Sequence, residues 1–283
     1  MADVAPPHGD RHSWLEHPAI AARYRQRGLI DGLPWDEWAA TQWGEPARKS
    51  LQLSCGGGDR SFYLFERGLS RWVDGVDASE EQIAAAERRR SAYKAPGFCR
   101  VLDANAQTLR RGVYDLVFAS HNFHQFVALE HVLEQARAAL TPRGLFVIEG
   151  YTGPSRFQWT DLQMDLVRAL LSAMPDRLRL LPWGDVKTAE GRPDRGSVAA
   201  VAPLESIRSA EIAPLFERYF EPIAVRRLGG TIQNLLFNGI MRHFGDADPD
   251  ANRHVEAVGS LESLLIDRGL LPSDFQIMIG RPR

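Results

Sequence analysis

Residues 50–58, Ser-Leu-Gln-Leu-Ser-Cys-Gly-Gly-Gly, decide how the rest of the chain is read, because a short apolar run stops there in three glycines. Such a run bounded by glycine reads as a buried strand feeding a tight turn, and a helical stretch over about 61–67 follows. RWVDGVDAS (71–79) reads as a second strand ending at Asp77. SEEQIAAAERRR (79–90) then reads as a helix, with Ser79 as N-cap and Gln82 three positions on completing a capping box. A third short strand, FCRVLD (98–103), precedes the strongly β segment YDLVFAS (114–120). A helix over 129–140, a turn TPRG (141–144) and a strand LFVIEGY (145–151) complete the region. Strands and helices alternate, and the strands are nearly continuous apolar runs. A parallel sheet covered on both faces is the expected result.

Outward from this region, residues 13–43 hold an irregular aromatic set including Trp14, Trp35, Trp38 and Trp43, broken by Gly32 and Pro34, and read as two short helices. From Pro154 to about Phe220 the pattern becomes helical, with segments near 161–174 and 205–220, and reads as an inserted cap. PIAVRRL (222–228) and DFQIMIGR (274–281) supply the last two strands. The expected fold is α/β: a seven-stranded, mostly parallel sheet with helices on both faces, N-terminal helices and a helical cap insertion. The expected division is a helical lid (1–44), a cofactor-binding core (45–153), the cap (154–220) and the remainder of the core (221–283).

The 34 basic and 36 acidic side chains leave a net charge of -2, so no global positive field would gather a polyanion, and nucleic acid is not expected as a partner. Cys55 and Cys99 fit neither a metal-ligand spacing nor a disulfide framework. The start of the chain lacks a basic, then apolar, leader, and no stretch approaches the roughly 18 apolar residues that span a bilayer. The expectation is a soluble, cytoplasmic protein acting on a small molecule, with no metal and no membrane partner; a homodimer stays open.

In open α/β sheets a ligand lies beyond the carboxyl ends of the strands, which points to the loop Ser54-Cys55-Gly56-Gly57-Gly58. Asp77 follows Gly56 by 21 positions, the spacing of a carboxylate that accepts ribose hydroxyls. Asp59 sits where a pyrophosphate would need bare amides, which disfavours a nicotinamide dinucleotide. A cofactor with a cationic sulfonium and an α-ammonium tolerates that carboxylate.

The segments LQLSCGGG, WVDGVDAS, RVLDANAQTL, YDLVFASHNFHQF and LTPRGLFVIEGY together resemble the class I, Rossmann-like, S-adenosylmethionine-dependent methyltransferases over roughly residues 45–155. GPSRFQWTDLQ (153–163) looks like the bacterial small-molecule type of that family. The resemblance implies S-adenosyl-L-methionine as cofactor and methyl transfer to an oxygen or nitrogen of a small metabolite. It implies a cofactor site of Ser54, Gly56, Gly58, Asp77, Ala78, Asp103, Ala104 and Ser120, with Asp77 on the ribose and Asp103 and Ala104 at the adenine edge. The chain departs from the family in carrying Gln52 where an acidic residue is usual and Ser54 where a glycine is usual. Gln52 brings no charge to the methionine ammonium, and Asp59 is a candidate substitute.

His121 and His124 follow the fourth strand and are candidate general bases, since imidazole titrates near neutral pH; the alternative is that they bridge backbone groups or line the cofactor. Glu149, Tyr151 and Arg156 follow the fifth strand as candidate substrate contacts, with Arg156 equally readable as an ion-pair partner of Glu149 or Asp161. The tryptophans of 13–43 read as packing, and Arg88-Arg89-Arg90 as cations suited to a helix C-terminus. Two further readings stay open: an NAD(P)-dependent oxidoreductase using the same loop, and a non-methylating relative that binds the sulfonium cofactor.

Overall fold

A computed structural model describes residues 14–245 and 248–283; residues 1–13 of the expected lid, and 246–247, lie outside the described residues. The elements in chain order are α1 (Pro18–Arg27), α2 (Trp35–Thr41), β1 (Ser50–Leu53), α3 (Asp59–Glu66), β2 (Val73–Asp77), α4 (Glu80–Tyr93), β3 (Cys99–Val101) and β4 (Tyr114–Ser120). They continue as α5 (Leu129–Ala139), β5 (Leu140–Tyr151), α6 (Asp161–Ser172), α7 (Arg195–Val201), α8 (Ile212–Tyr219), β6 (Phe220–Gly229), α9 (Gln233–Phe237), α10 (Pro249–Asp267) and β7 (Phe275–Pro282).

The seven strands form one sheet in the order β3-β2-β1-β4-β5-β7-β6. β1 pairs in parallel with β2 and with β4, β2 with β3, and β4 with β5. Strand order therefore reverses between β1 and β4, and the loops at their carboxyl ends flank the crevice where such sheets take ligands. The expected seven-stranded α/β architecture is the one observed. The TPRG segment is not a free turn: β5 starts at Leu140 opposite Tyr114, resumes at Leu145 opposite Leu116, and the intervening residues are absorbed as a bulge. On α4, Ser79 accepts the Gln82 amide at 3.3 Å, the N-cap half of the expected box. The helix expected over 205–220 is shorter, with α8 beginning at Ile212, and α7 arises within the expected cap where no helix was foreseen.

The chain divides into two compact units. One, residues 28–155, 206–226 and 276–283, holds the sheet; it includes α2 and α8, which the sequence reading had grouped with the lid and the cap. Leu51, Leu53, Val117, Phe146 and Ile148 of its strands pack with Leu133 of α5 and Phe216 of α8, while Phe62 of α3 and Ile83 of α4 pack with Val73.

The other unit comprises residues 1–27, 156–205 and 227–275, and its described part is a helical assembly around Val167, Leu171, Leu236, Ile240 and Val255. Its interior is organised by a buried carboxylate. Glu262 on α10 accepts from the backbone amides of Gly230 (3.2 Å), Ile232 (2.5 Å) and Gln233 (3.0 Å), and from Gln233 Nε2 (2.6 Å). These donors include the amides that a helix N-terminus leaves unpaired, so Glu262 sets where α9 begins. Asp274, fully buried, accepts from Gln163 Nε2 at 3.1 Å. Burial, aided by the nearby Glu262 charge, pushes its carboxyl up to about 8.

The unfolded chain releases that proton near pH 4, whereas the folded chain holds it until about pH 8. The stability contribution of Asp274 is thus fully present below pH 4 and is lost as pH rises through 8. Asp274→Asn, which keeps the neutral form at every pH, is expected to match the parent near pH 4 and to exceed it at pH 8 by at least about 1 kcal/mol, or roughly 2–4 °C in Tm. Thermal melts of both proteins from pH 4 to pH 8 check this.

Candidate cofactor and active site

The loop after β1 is shaped by left-handed backbone. Ser54 (φ 49°), Gly56 (φ 51°) and Gly58 (φ 82°) all adopt positive φ, with Gly58 capping α3. A Cβ on Gly58 would lie 2.3 Å from the Phe62 ring, so glycine is required there on two grounds. Ser54 bears the conformational cost of a left-handed non-glycine residue. The loop is tied down from three sides. Asp77 Oδ2 accepts the Gly56 amide at 2.9 Å, Asn122 Nδ2 donates to the Ser54 carbonyl at 3.0 Å, and Arg89 Nη1 of α4 donates to the Gly57 carbonyl at 2.9 Å.

Asp77 also accepts the Ser79 amide on Oδ1 at 2.9 Å. Each oxygen of the half-buried carboxylate thus takes one short N–H bond, and Oδ2 also accepts a longer bond from Ser54 Oγ at 3.5 Å. A pair of ribose hydroxyls, as donors, requires carboxylate acceptors of this kind. Ala78 beside it is exposed. Asp103 Oδ1 accepts from the Asn105 amide (2.9 Å) and Asn105 Nδ2 (3.0 Å), which shapes the turn after β3, and Ala104 is buried beneath it.

Two expectations about charge change. Asp59 is ion-paired with Arg89 and its side chain is 83% exposed, so its charge neither repels an anion at the loop nor substitutes for the one missing at Gln52. Gln52 is buried and its Oε1 accepts from Ser61 Oγ at 2.7 Å, which fastens β1 to α3. Arg89, read as a helix-end cation, is instead a tether of the loop.

At the ends of β4 and β5, Glu149 Oε2 accepts both from Ser120 Oγ (3.1 Å) and from the indole of Trp35 (3.0 Å). Trp35, read from sequence as packing, therefore joins the candidate site from α2. His121 is exposed, left-handed (φ 63°) and donates its amide to the Glu149 carbonyl at 2.6 Å. Strain at such a strand end concentrates at functional positions. His124 is half-buried, its ring centroid 6.0 Å from that of Tyr151, whose hydroxyl donates to the Pro154 carbonyl at 3.1 Å. Arg156 does not pair with Glu149 or Asp161. Its guanidinium donates to the carbonyls of Ala202, Pro203 and Glu205 at 2.7–3.3 Å, fastening the 202–205 segment, while Asp161 pairs with Arg192. Among the described residues, no cluster of His, Cys, Asp and Glu fits a metal ion, and no helix is long and apolar enough to cross a membrane.

A family model described as a methyltransferase domain matches residues 51–148, which span β1 to β5 and hold the glycine loop and Asp77. The match lies within the sheet-bearing unit and leaves the helical unit outside it. Solved structures agree in fold. A geranyl diphosphate methyltransferase in complex with S-adenosylmethionine is 13% identical, with 88% of this chain and 84% of that chain covered and a TM-score of 0.53. A phosphoethanolamine N-methyltransferase 2 of Haemonchus contortus, also in complex with S-adenosylmethionine, is 14% identical, with 95% and 59% covered and a TM-score of 0.52. The [4+2]-cyclase SpnF is 12% identical, with 88% and 80% covered and a TM-score of 0.50. No curated protein matches the sequence.

Asp77→Ala removes both the loop tether and a carboxylate acceptor. Affinity for S-adenosylhomocysteine is expected to fall at least tenfold to a hundredfold, corresponding to about 1.5–3 kcal/mol. The fold should persist, because Asp77 lies outside the apolar clusters. Calorimetric titration alongside a thermal melt reads both quantities.

Proposed function

We propose that the chain transfers the methyl group of S-adenosylmethionine to an oxygen or nitrogen of a small metabolite. The observation that carries the reading is the half-buried Asp77 carboxylate, at the end of β2 within the stretch matched by the methyltransferase-domain model, holding the glycine loop through Oδ2 and the start of α4 through Oδ1. Ser54, Gly56, Gly58, Asp77, Ala78, Asp103, Ala104 and Ser120 would hold the cofactor, which supplies an electrophilic methyl on a sulfonium. The near-balanced charge supports a small acceptor over nucleic acid.

Methyl transfer is an in-line displacement, so the protein's main task is to align the acceptor, with proton removal where the acceptor needs it. Glu149 and Tyr151 stand at the β5 end to position the acceptor. His121 and His124 follow β4 to receive a proton. An activity screen with S-adenosylmethionine over alcohol and amine acceptors, read as formation of S-adenosylhomocysteine, tests the reading. His121→Asn or His124→Gln is expected to lower kcat by about 10²–10⁴ for an acceptor that must lose a proton, with cofactor affinity unchanged. Equal kcat in both variants would remove the general-base role.

The non-methylating reading is favoured by one specific observation, the neutral Gln52 of β1, paired with Ser61 of α3, where the resemblance leads one to expect a charge. It predicts that S-adenosylhomocysteine binds in calorimetry while no acceptor in the screen is methylated. Binding of a reduced nicotinamide cofactor, seen as a change in its fluorescence, would instead support an oxidoreductase.

A further inference from the structure

A carboxylate drawn out of water costs free energy unless a cation or several hydrogen-bond donors meet it. In the sheet-bearing unit most sheltered acids meet a cation. The buried Asp36, Asp74 and Asp115 lie 3.0–3.2 Å from Arg60, Lys49 and Arg48, and the half-buried Glu37, Glu87, Glu130 and Glu134 each pair with an arginine. Among the described residues of this unit, the sheltered acids that pair with no cation are Asp77 and Glu149, at the carboxyl ends of β2 and β5. Asp77 is engaged by the amides of Gly56 and Ser79.

Glu149 is held differently. Its Oε2 takes both of its donors, Ser120 Oγ at 3.1 Å and the Trp35 indole at 3.0 Å, while Oε1 takes no hydrogen bond and keeps contact with solvent. Ser120 stands directly opposite Glu149 in the β4–β5 register, and the Trp35 ring, 2% exposed, packs 5.8 Å from that of Phe118 on β4. Two fixed, neutral donors on one oxygen therefore orient the carboxylate and leave the other oxygen for a ligand at the strand ends. Gly150 (φ 149°) follows, and a Cβ there would lie 3.0 Å from His121 Cα. Glycine thus lets the His121 segment close on the strand end that bears Glu149.

A glutamate is ordinarily ionised near neutral pH. A neutral alcohol brings Oε1 one O–H donor and no charge, whereas an ammonium brings up to three N–H donors and the opposite charge. We propose that Glu149 selects an amine over an alcohol as the methyl acceptor, binding it as its ammonium through Oε1. The proposal rests on the methyl-transfer reading above and narrows its acceptor atom to nitrogen. The bound ammonium gives one proton to His121 or His124. The freed nitrogen lone pair then forms the N–C bond while the methyl carbon's bond to sulfur breaks, its electron pair staying on sulfur, to leave a methylammonium and the thioether S-adenosylhomocysteine.

Matched acceptors test it: benzylamine with benzyl alcohol, n-hexylamine with n-hexanol, and ethanolamine with ethylene glycol, each assayed with S-adenosylmethionine and the full chain. The parent should methylate amines with kcat/KM at least about tenfold above the matched alcohols. Glu149→Gln keeps an oxygen for the Ser120 and Trp35 donors and removes the charge. It should lower kcat/KM for amines about ten- to a hundredfold, chiefly through KM, and leave calorimetric affinity for S-adenosylhomocysteine within about twofold. Alcohols methylated as well as amines, or an unchanged KM for amines in Glu149→Gln, would overturn the proposal and leave methyl transfer standing. If that variant fails to fold, the parent's own amine-to-alcohol ratio decides. S-adenosylhomocysteine binding with no acceptor methylated overturns the transferase reading and this proposal with it, whereas no binding removes the cofactor itself.

Discussion

The Asp77 carboxylate joins two connections that the sheet alone would leave independent. One oxygen holds the Gly56 amide of the loop after β1, and the other holds the Ser79 amide at the start of α4. Because β1 and β2 are parallel neighbours in register, their carboxyl ends lie side by side, and a single short side chain spans both. Charge-assisted bonds of this kind are roughly twice as strong as neutral ones. The left-handed residues Ser54, Gly56 and Gly58 can therefore be held in one arrangement rather than many.

The tethers that complete the loop come from elements on either side of it. Arg89 reaches back from α4 to the Gly57 carbonyl, and Asn122 reaches from the end of β4 to the Ser54 carbonyl. The reversal of strand order between β1 and β4 opens the crevice, and these bonds shape its floor. On the β5 side, Glu149 gathers Ser120 and Trp35 onto one carboxylate oxygen. Preorganised polar groups of this sort lower the cost of ordering a site around its ligand.

The helical unit solves a separate problem with the same chemistry. Four N–H groups converge on the buried Glu262 carboxyl, whereas Asp274 has one side-chain amide as its donor and stays protonated to about pH 8. With so few donors to offset desolvation, the Asp274 carboxyl keeps its proton.

The sequence by itself determined the α/β alternation, the seven strands, the glycine loop and the spacing to Asp77. Each of these is a local property: apolar periodicity, a turn that needs glycine, and a carboxylate at a strand end. Only the tertiary structure decided that Trp35 donates to Glu149, that Asp36 pairs with Arg60, that Arg89 holds Gly57 while neutralising Asp59, and that Arg156 fastens the 202–205 carbonyls. Pairs such as Trp35 and Glu149 are separated by more than a hundred residues, and an arginine or tryptophan has the same local signature whether it binds a ligand, a carboxylate or a backbone carbonyl. The choice among those partners is made by which strand ends the sheet order brings together, and no local pattern in the chain encodes it.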